Sequence, residues 1–292
     1  MCIRDSDNTI KTYQIGFAPD SWDTLINAIK SLSFNDDVYD KTGLFIKTDR
    51  GWRDRFRSRI MFPIFHQSGK PIAFGGRIFN HNDPAKYLNS PETPLYRKSE
   101  VFYGLHKTRD SIRKFSTAVL VEGYTDFLQL VQLGIPNVVA LSGTALGINH
   151  ASQIRKFASK VYLAYDGDDA GINATLRAGY VLFQAGIEPL VIPMPSDKDP
   201  DDWVREAGVN AFQEAMGSSM SLLLFHLQKK DVKNLSATDR SKTVKEILKE
   251  ISLINDGIIR DDLLKSLSQE LQLDEVEAVS YTHLTLPTIC SV

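Results

Sequence analysis

The sequence predicts an α/β protein: a parallel sheet flanked by helices, preceded by a basic mixed α/β subdomain and followed by a small helical subdomain. Three observations carry this. Between residues 116 and 217, short apolar runs alternate with helical stretches, the pattern of strands joined by crossover helices. From Arg50 to Lys114 there are 14 Lys/Arg against 5 Asp/Glu, although the 292-residue chain carries a net charge of only −2. After Ser218 apolar residues recur at helical spacing, as in Val244, Ile247, Leu248 and Ile251.

Residues 7–115 form the first expected subdomain. Ser21 reads as the N-cap of a helix over 22–31, and 60–77 reads as a hairpin turning at Ser68-Gly69. Residues 83–94 hold three prolines and are expected to be a long irregular segment. The second subdomain, 116–217, has expected strands at 118–122, 137–141, 160–166 and 188–193, with helices at 125–132, 151–158 and 172–185. Ligands of such sheets bind at the carboxyl ends of the strands. The third, 218–279, has expected helices at 222–229, 241–253 and 261–271, whose apolar stripes read as packing faces.

A composition of 42% hydrophobic and 24% charged residues is that of an ordinary soluble globular protein. No apolar run reaches the roughly 18–20 residues that span a bilayer, and no signal-peptide stretch opens the chain. A cytoplasmic location without a membrane partner is therefore expected. Cys2 and Cys290 stand at opposite extremities, so neither a disulfide framework nor a zinc signature is present in the sequence. Residues 1–6 and 280–292 fit no neighbouring periodicity, resemble translated adapter sequence, and are expected to be non-native tails. The basic excess suits an anionic polymer; on charge alone, a solvated basic face accounts for it equally.

Acidic residues follow the apolar runs. Glu122 closes the run Val119-Leu-Val and precedes Gly123, which permits a tight turn; Asp126 lies one helical turn further on. Asp126 can share an ion with Glu122 or simply favour the helix dipole. Asp166-Gly167-Asp168 closes a second apolar run, where ionised carboxylates demand a partner. Asp199-Pro200-Asp201 follows the last strand; alone it is no more than a common turn. Together the three sites give an oxygen-only cradle for Mg²⁺ or Mn²⁺, with zinc not expected. Gly143-Thr144 offers backbone N–H groups to phosphate or is a plain strand-to-helix turn.

Glu122-Gly-Tyr-Thr-Asp126, Asp166-Gly-Asp168 and Asp199-Pro-Asp201 resemble the Toprim signature of DnaG-type primases, topoisomerases, recombination mediators and OLD-family nucleases. Phe56-Arg-Ser-Arg-Ile-Met-Phe-Pro63, Phe74-Gly-Gly-Arg77, Lys86-Tyr-Leu-Asn-Ser-Pro-Glu-Thr93 and Lys98 through Tyr103-Gly-Leu105 resemble the basic half of the bacterial primase RNA-polymerase core. This resemblance implies RNA primer synthesis from ribonucleoside triphosphates on a single-stranded DNA template. By it, Asp166, Asp168, Asp199 and Asp201 hold metal ions, Glu122 is a ligand or proton acceptor, and Asp126 supports the same site. Arg57, Arg59, Arg77, Lys86 and Lys98 contact template or triphosphate, Tyr87 stacks on a base or sugar, and Asn89 orients their loop.

The Cys/His cluster of a primase zinc domain is lacking in this sequence, and the replicative helicase is expected to bind a domain absent from it. The chain reads as a fragment whose last helices resemble the tail of the core. Two other readings share the acidic edge: a Toprim nuclease or topoisomerase-like enzyme, and a non-catalytic nucleic-acid-binding module. A topoisomerase needs a nucleophilic tyrosine on an additional domain, and the basic run Lys86 to Thr93 favours primer synthesis.

Overall fold

Residues 7–79 and 85–272 are described by a computed structural model. The expected tails, with Cys2 and Cys290, and the first two residues of the 83–94 segment lie outside the described residues. The chain divides into two interleaved units, Met1–Lys114 with Leu120–Ala145, and Phe115–Val119 with Leu146–Val292.

The first unit opens with α1 (Asp7–Tyr13), β1 (Gly16–Ala18), α2 (Thr24–Ile29) and α3 (Asp36–Thr42), then the hairpin β2 (Phe45–Thr48) and β3 (Gly51–Asp54). β4 (Arg59–Phe65) and β5 (Pro71–Ile78) form the expected long hairpin, with Gly69 at φ 81° in its turn. β6 (Tyr87–Asn89) adds an edge, giving the antiparallel order β1-β4-β5-β6. Phe62 and Ile64 of β4 are at most 1% exposed; each such burial contributes about 1.5–3 kcal/mol. α4 (Leu105–Phe115), β7 (Thr117–Val121), α5 (Tyr124–Gln132) and β8 (Val138–Ala140) follow.

The second unit holds α6 (Ile148–Ile154), β9 (Lys160–Leu163), α7 (Asp169–Gln184), β10 (Glu188–Val191), α8 (Pro200–Gly217), β11 (Met220–Ser221), α9 (Leu222–Lys229), α10 (Ala237–Ser252) and α11 (Gly257–Leu271). β9 and β10 are parallel, and their last residues, Leu163 and Val191, are paired. The loops that leave them therefore start from one edge of the sheet. The five-stranded order is β11-β10-β9-β7-β8, with β11 antiparallel to β10. The amphipathic α7, α9, α10 and α11 bury residues such as Leu182, Leu223, Ile251 and Leu267.

Three expectations are corrected. The helix expected over 22–31 is only Thr24–Ile29, and Ser21 does not cap it. Its hydroxyl donates to Asp23 Oδ1 at 2.9 Å, while the Asp54 carboxylate accepts from Leu25 N at 2.6 Å and Ile26 N at 3.0 Å. A cap from a different element leaves no local sequence pattern. The segment 83–94 is not irregular throughout: between Pro84 and Pro91 the three residues of β6 are free to pair with β5. Finally, the Asp199 run opens α8, with Asp199 as N-cap and Pro200 at its first turn, where the missing proline N–H costs nothing. Gly208, at φ 83°, kinks α8 and breaks its periodicity.

Candidate active site

In the first unit the chain leaves β7 directly into Glu122, which is half-buried. Gly123 is the N-cap residue of α5, and its N–H donates to Asp126 Oδ2 at 3.1 Å. Asp126 is 5% exposed, so part of its work is to close this turn. Tyr124, first residue of α5, points its ring into the unit, 4.8 Å from Phe62 and parallel within 4°, with its edge on Tyr103. Its hydroxyl donates to Asn89 Oδ1 at 2.8 Å, and Asn89 Nδ2 donates to the Ser142 carbonyl at 2.7 Å. Sequence reasoning missed Tyr124 and Ser142, because their link to Asn89 spans 35 and 53 residues.

The predicted basic residues fall into distinct settings. Arg57 lies with its guanidinium 3.6 Å from the Trp22 ring centroid and donates to the Asp54 carbonyl. Arg77 stands opposite Tyr87 in the β5–β6 register, 5.7 Å over its ring. Lys86 is exposed, just ahead of Tyr87, and Lys98 begins a short 3₁₀ turn, its N–H donating to Glu92 Oε1 at 2.8 Å. Arg59 differs: it is 2% exposed, and its Nη1 donates to the carbonyls of Gly76 at 3.3 Å and Ala85 at 3.0 Å. It fastens the residue that leads into Lys86. Gly143, at φ 81°, serves the same neighbourhood, because a Cβ there would stand 2.7 Å from Asn89 Nδ2.

In the second unit two acidic turns are joined. Asp168 is the N-cap of α7, its Oδ1 accepting from Gly171 N at 2.7 Å; Asp199 caps α8 by accepting from Asp202 N at 2.6 Å. Each keeps Oδ2 outside its cap. Gly167 N donates to the Lys198 carbonyl at 2.9 Å, and a Cβ on Gly167 would strike the Pro195 carbonyl. The turn Asp166–Asp168 is thereby held against the chain that enters Asp199. Asp201 is paired with Arg205 at 3.0 Å, and burial raises its pKa while Arg205 opposes the rise. A cavity of about 110 Å³ lies beside Asp166 and Gly167, walled by Thr175, Met194, Met220 and Phe225.

The donors gathered here are carboxylate oxygens, the chemistry that suits a hard divalent cation. Among the described residues, no three Asp, Glu, His or Cys side chains already form a closed cage. Two carboxylates act as helix caps and Asp201 pairs with an arginine, so an ion would have to recruit their outer oxygens.

Comparison with known proteins finds three family matches along the chain. Residues 4–109 match the family described as "DNA primase catalytic core, N-terminal domain", 119–204 match "Toprim-like", and 226–275 match "DnaB-helicase binding domain of primase". The DNA primase of Halalkalibacterium halodurans is 37% identical over 279 residues, covering 93% of this chain and 46% of that protein. A DNA primase domain from Pseudomonas aeruginosa has a TM-score of 0.85 at 31% identity, with 95% of this chain and 89% of that one covered. A DnaG primase catalytic domain bound to ssDNA has a TM-score of 0.82 at 32% identity, with 93% and 87% covered. The chain spans about half the length of the curated relatives it matches. The Toprim match implies a divalent metal, which the carboxylate set fits. The match at 226–275 partly overturns the expectation that the helicase-binding domain is absent: a stretch similar to it is present. Among the described residues no helix is long and apolar enough to cross a membrane.

Proposed function

Because the chain belongs to the DnaG-type DNA primases, within their catalytic core, we propose that it joins ribonucleoside triphosphates into short RNA primers on a single-stranded DNA template. The observation that carries this is the Gly167–Lys198 tie, which couples two acidic turns at aligned strand ends. When bound, Mg²⁺ or Mn²⁺ lowers the pKa of the attacking 3′-hydroxyl and offsets charge developing on the phosphate. Asp166, Asp168, Asp199 and Asp201 would hold the ions, Glu122 would be a ligand or take the hydroxyl proton, and Asp126 keeps the Glu122 turn closed. Arg57, Arg77, Lys86 and Lys98 neutralise template or triphosphate, Tyr87 stacks on a base or sugar, and Asn89 and Arg59 position the strand between them.

Functionally the chain is read as three parts: 7–115 binds template and nucleotide, 116–217 carries the metal chemistry, and 218–279 is helical. The match at 226–275 supports the reading that this last part contacts the replicative helicase, and the setting proposed is the bacterial cytoplasm at replication forks. Incubation with single-stranded DNA, ribonucleotides and Mg²⁺ or Mn²⁺ tests the reading. RNA oligomers are the expected product; shortened DNA would make it a nuclease, and no turnover a binding module. Asp168→Asn keeps an N-cap oxygen, so it is expected to fold, to bind single-stranded DNA, and to lose primer synthesis. Retained synthesis would reject the assigned site.

A further inference from the structure

We propose that the Tyr124 hydroxyl is a positioning group that locks β6 in place through Asn89, and thereby sets how tightly the ribonucleotide is held; this rests on the primer-synthesis reading. β6 is three residues long and lies at the edge of its sheet, so it pairs on one side only. So short an edge strand has few backbone bonds to keep its register. The side chain of Asn89 supplies what is lacking. Its amide oxygen accepts from Tyr124 and its amide nitrogen donates to Ser142 O, at 2.8 and 2.7 Å. Flipping that amide would set oxygen against the Ser142 carbonyl, so a single orientation is favoured.

The surroundings are shaped for this link. Tyr124 is 2% exposed and held on its face by Phe62. Gly75, which pairs with Asn89, leaves the space that the Tyr124 ring fills: a Cβ there would strike its hydroxyl and ring. Gly143 leaves the space for the Asn89 amide on the other side. Two glycines thus serve one hydrogen-bonded chain. Burial drives the Tyr124 phenol well above its ordinary pKa, so it remains a donor throughout the working range. Asn89 lies two residues from Tyr87, which faces Arg77 across the ladder. Holding Asn89 therefore holds the aromatic and cationic groups assigned to the nucleotide.

Tyr124→Phe removes the hydroxyl and keeps the stacked ring. Loss of one buried hydrogen bond is expected to raise the ribonucleotide KM about 5–10-fold while kcat stays within about twofold. Amide hydrogen exchange over residues 87–90 is expected to quicken by a similar factor. Asn89→Ala should reproduce both effects, and the double variant should be no worse than Asn89→Ala alone. Multiplying penalties in the double variant, a fall in kcat with KM unchanged, or unchanged exchange at 87–90 in Tyr124→Phe would each overturn the lock. A parent chain that makes no RNA would reject primer synthesis; exchange at 87–90 would still decide whether Tyr124 holds β6.

Discussion

His226 sits where a proton is unwelcome. It is 7% exposed in α9, its Nδ1 is 2.9 Å from the Tyr180 hydroxyl in a hydrogen bond, and burial, with Lys230 nearby, lowers its pKa to about 4. An unfolded chain protonates this group near 6.5. Unfolding therefore takes up a proton between those values, and stability present above pH 6.5 is lost as pH falls toward 4, by about 3 kcal/mol. His106, whose pKa burial also lowers to about 4, acts in the same direction. His226→Asn offers an amide in place of Nδ1 and cannot take the proton; its urea-unfolding free energy is expected to fall less steeply between pH 6.5 and 4. A parallel pH profile would remove His226 from this role. At this scale the carboxylates were legible in sequence as candidates, but their capping was not: Asp168 and Asp199 each accept from an N–H of the helix they open. Tyr124 was not legible, since an aromatic early in a helix reads as core until its hydroxyl is seen on Asn89.

Elements defined by their own periodicity were the readable ones. The helix expected at 222–229 is α9, and the strands expected at 160–166 and 188–193 contain β9 and β10. Elements defined by a partner were not. α2 is started by a tertiary contact, with Asp54 of β3 accepting from two of its first N–H groups. β6 exists because β5 offers it an edge. Asp54 is 4% exposed, so its loss leaves two donors without their acceptor. Asp54→Ala is expected to cost about 2 kcal/mol in urea unfolding. It should also loosen the Trp22–Arg57 stack just ahead of α2, read as a change in tryptophan fluorescence. A loss below half that cost would mean that water satisfies the helix end.

The basic excess of the first unit becomes measurable at the scale of the whole molecule. Binding that releases counterions from single-stranded DNA weakens with salt, with a log–log slope of about −0.7 per phosphate neutralised. Lys86→Ala is expected to weaken binding similarly for all sequences and to make the slope about 0.7 shallower; an unchanged slope would remove Lys86 from the nucleic-acid surface. The acidic half of the molecule was visible in sequence as motifs, and the basic half as a charge count, but the interleaving of the two units was not. Residues 115–119 belong with 146–292, and they hold the first part of β7, whose neighbour in the sheet is β9. No single cut of the chain can therefore separate the units intact. Severed after residue 145, the amino-terminal piece keeps every residue of its own unit, whereas the remainder loses a strand and bares the edge of β9 to foreign pairing. On a ribosome every residue of the first unit is made before any of 146–292, whereas the second must collect a strand already made before its two acidic turns rest on a complete sheet.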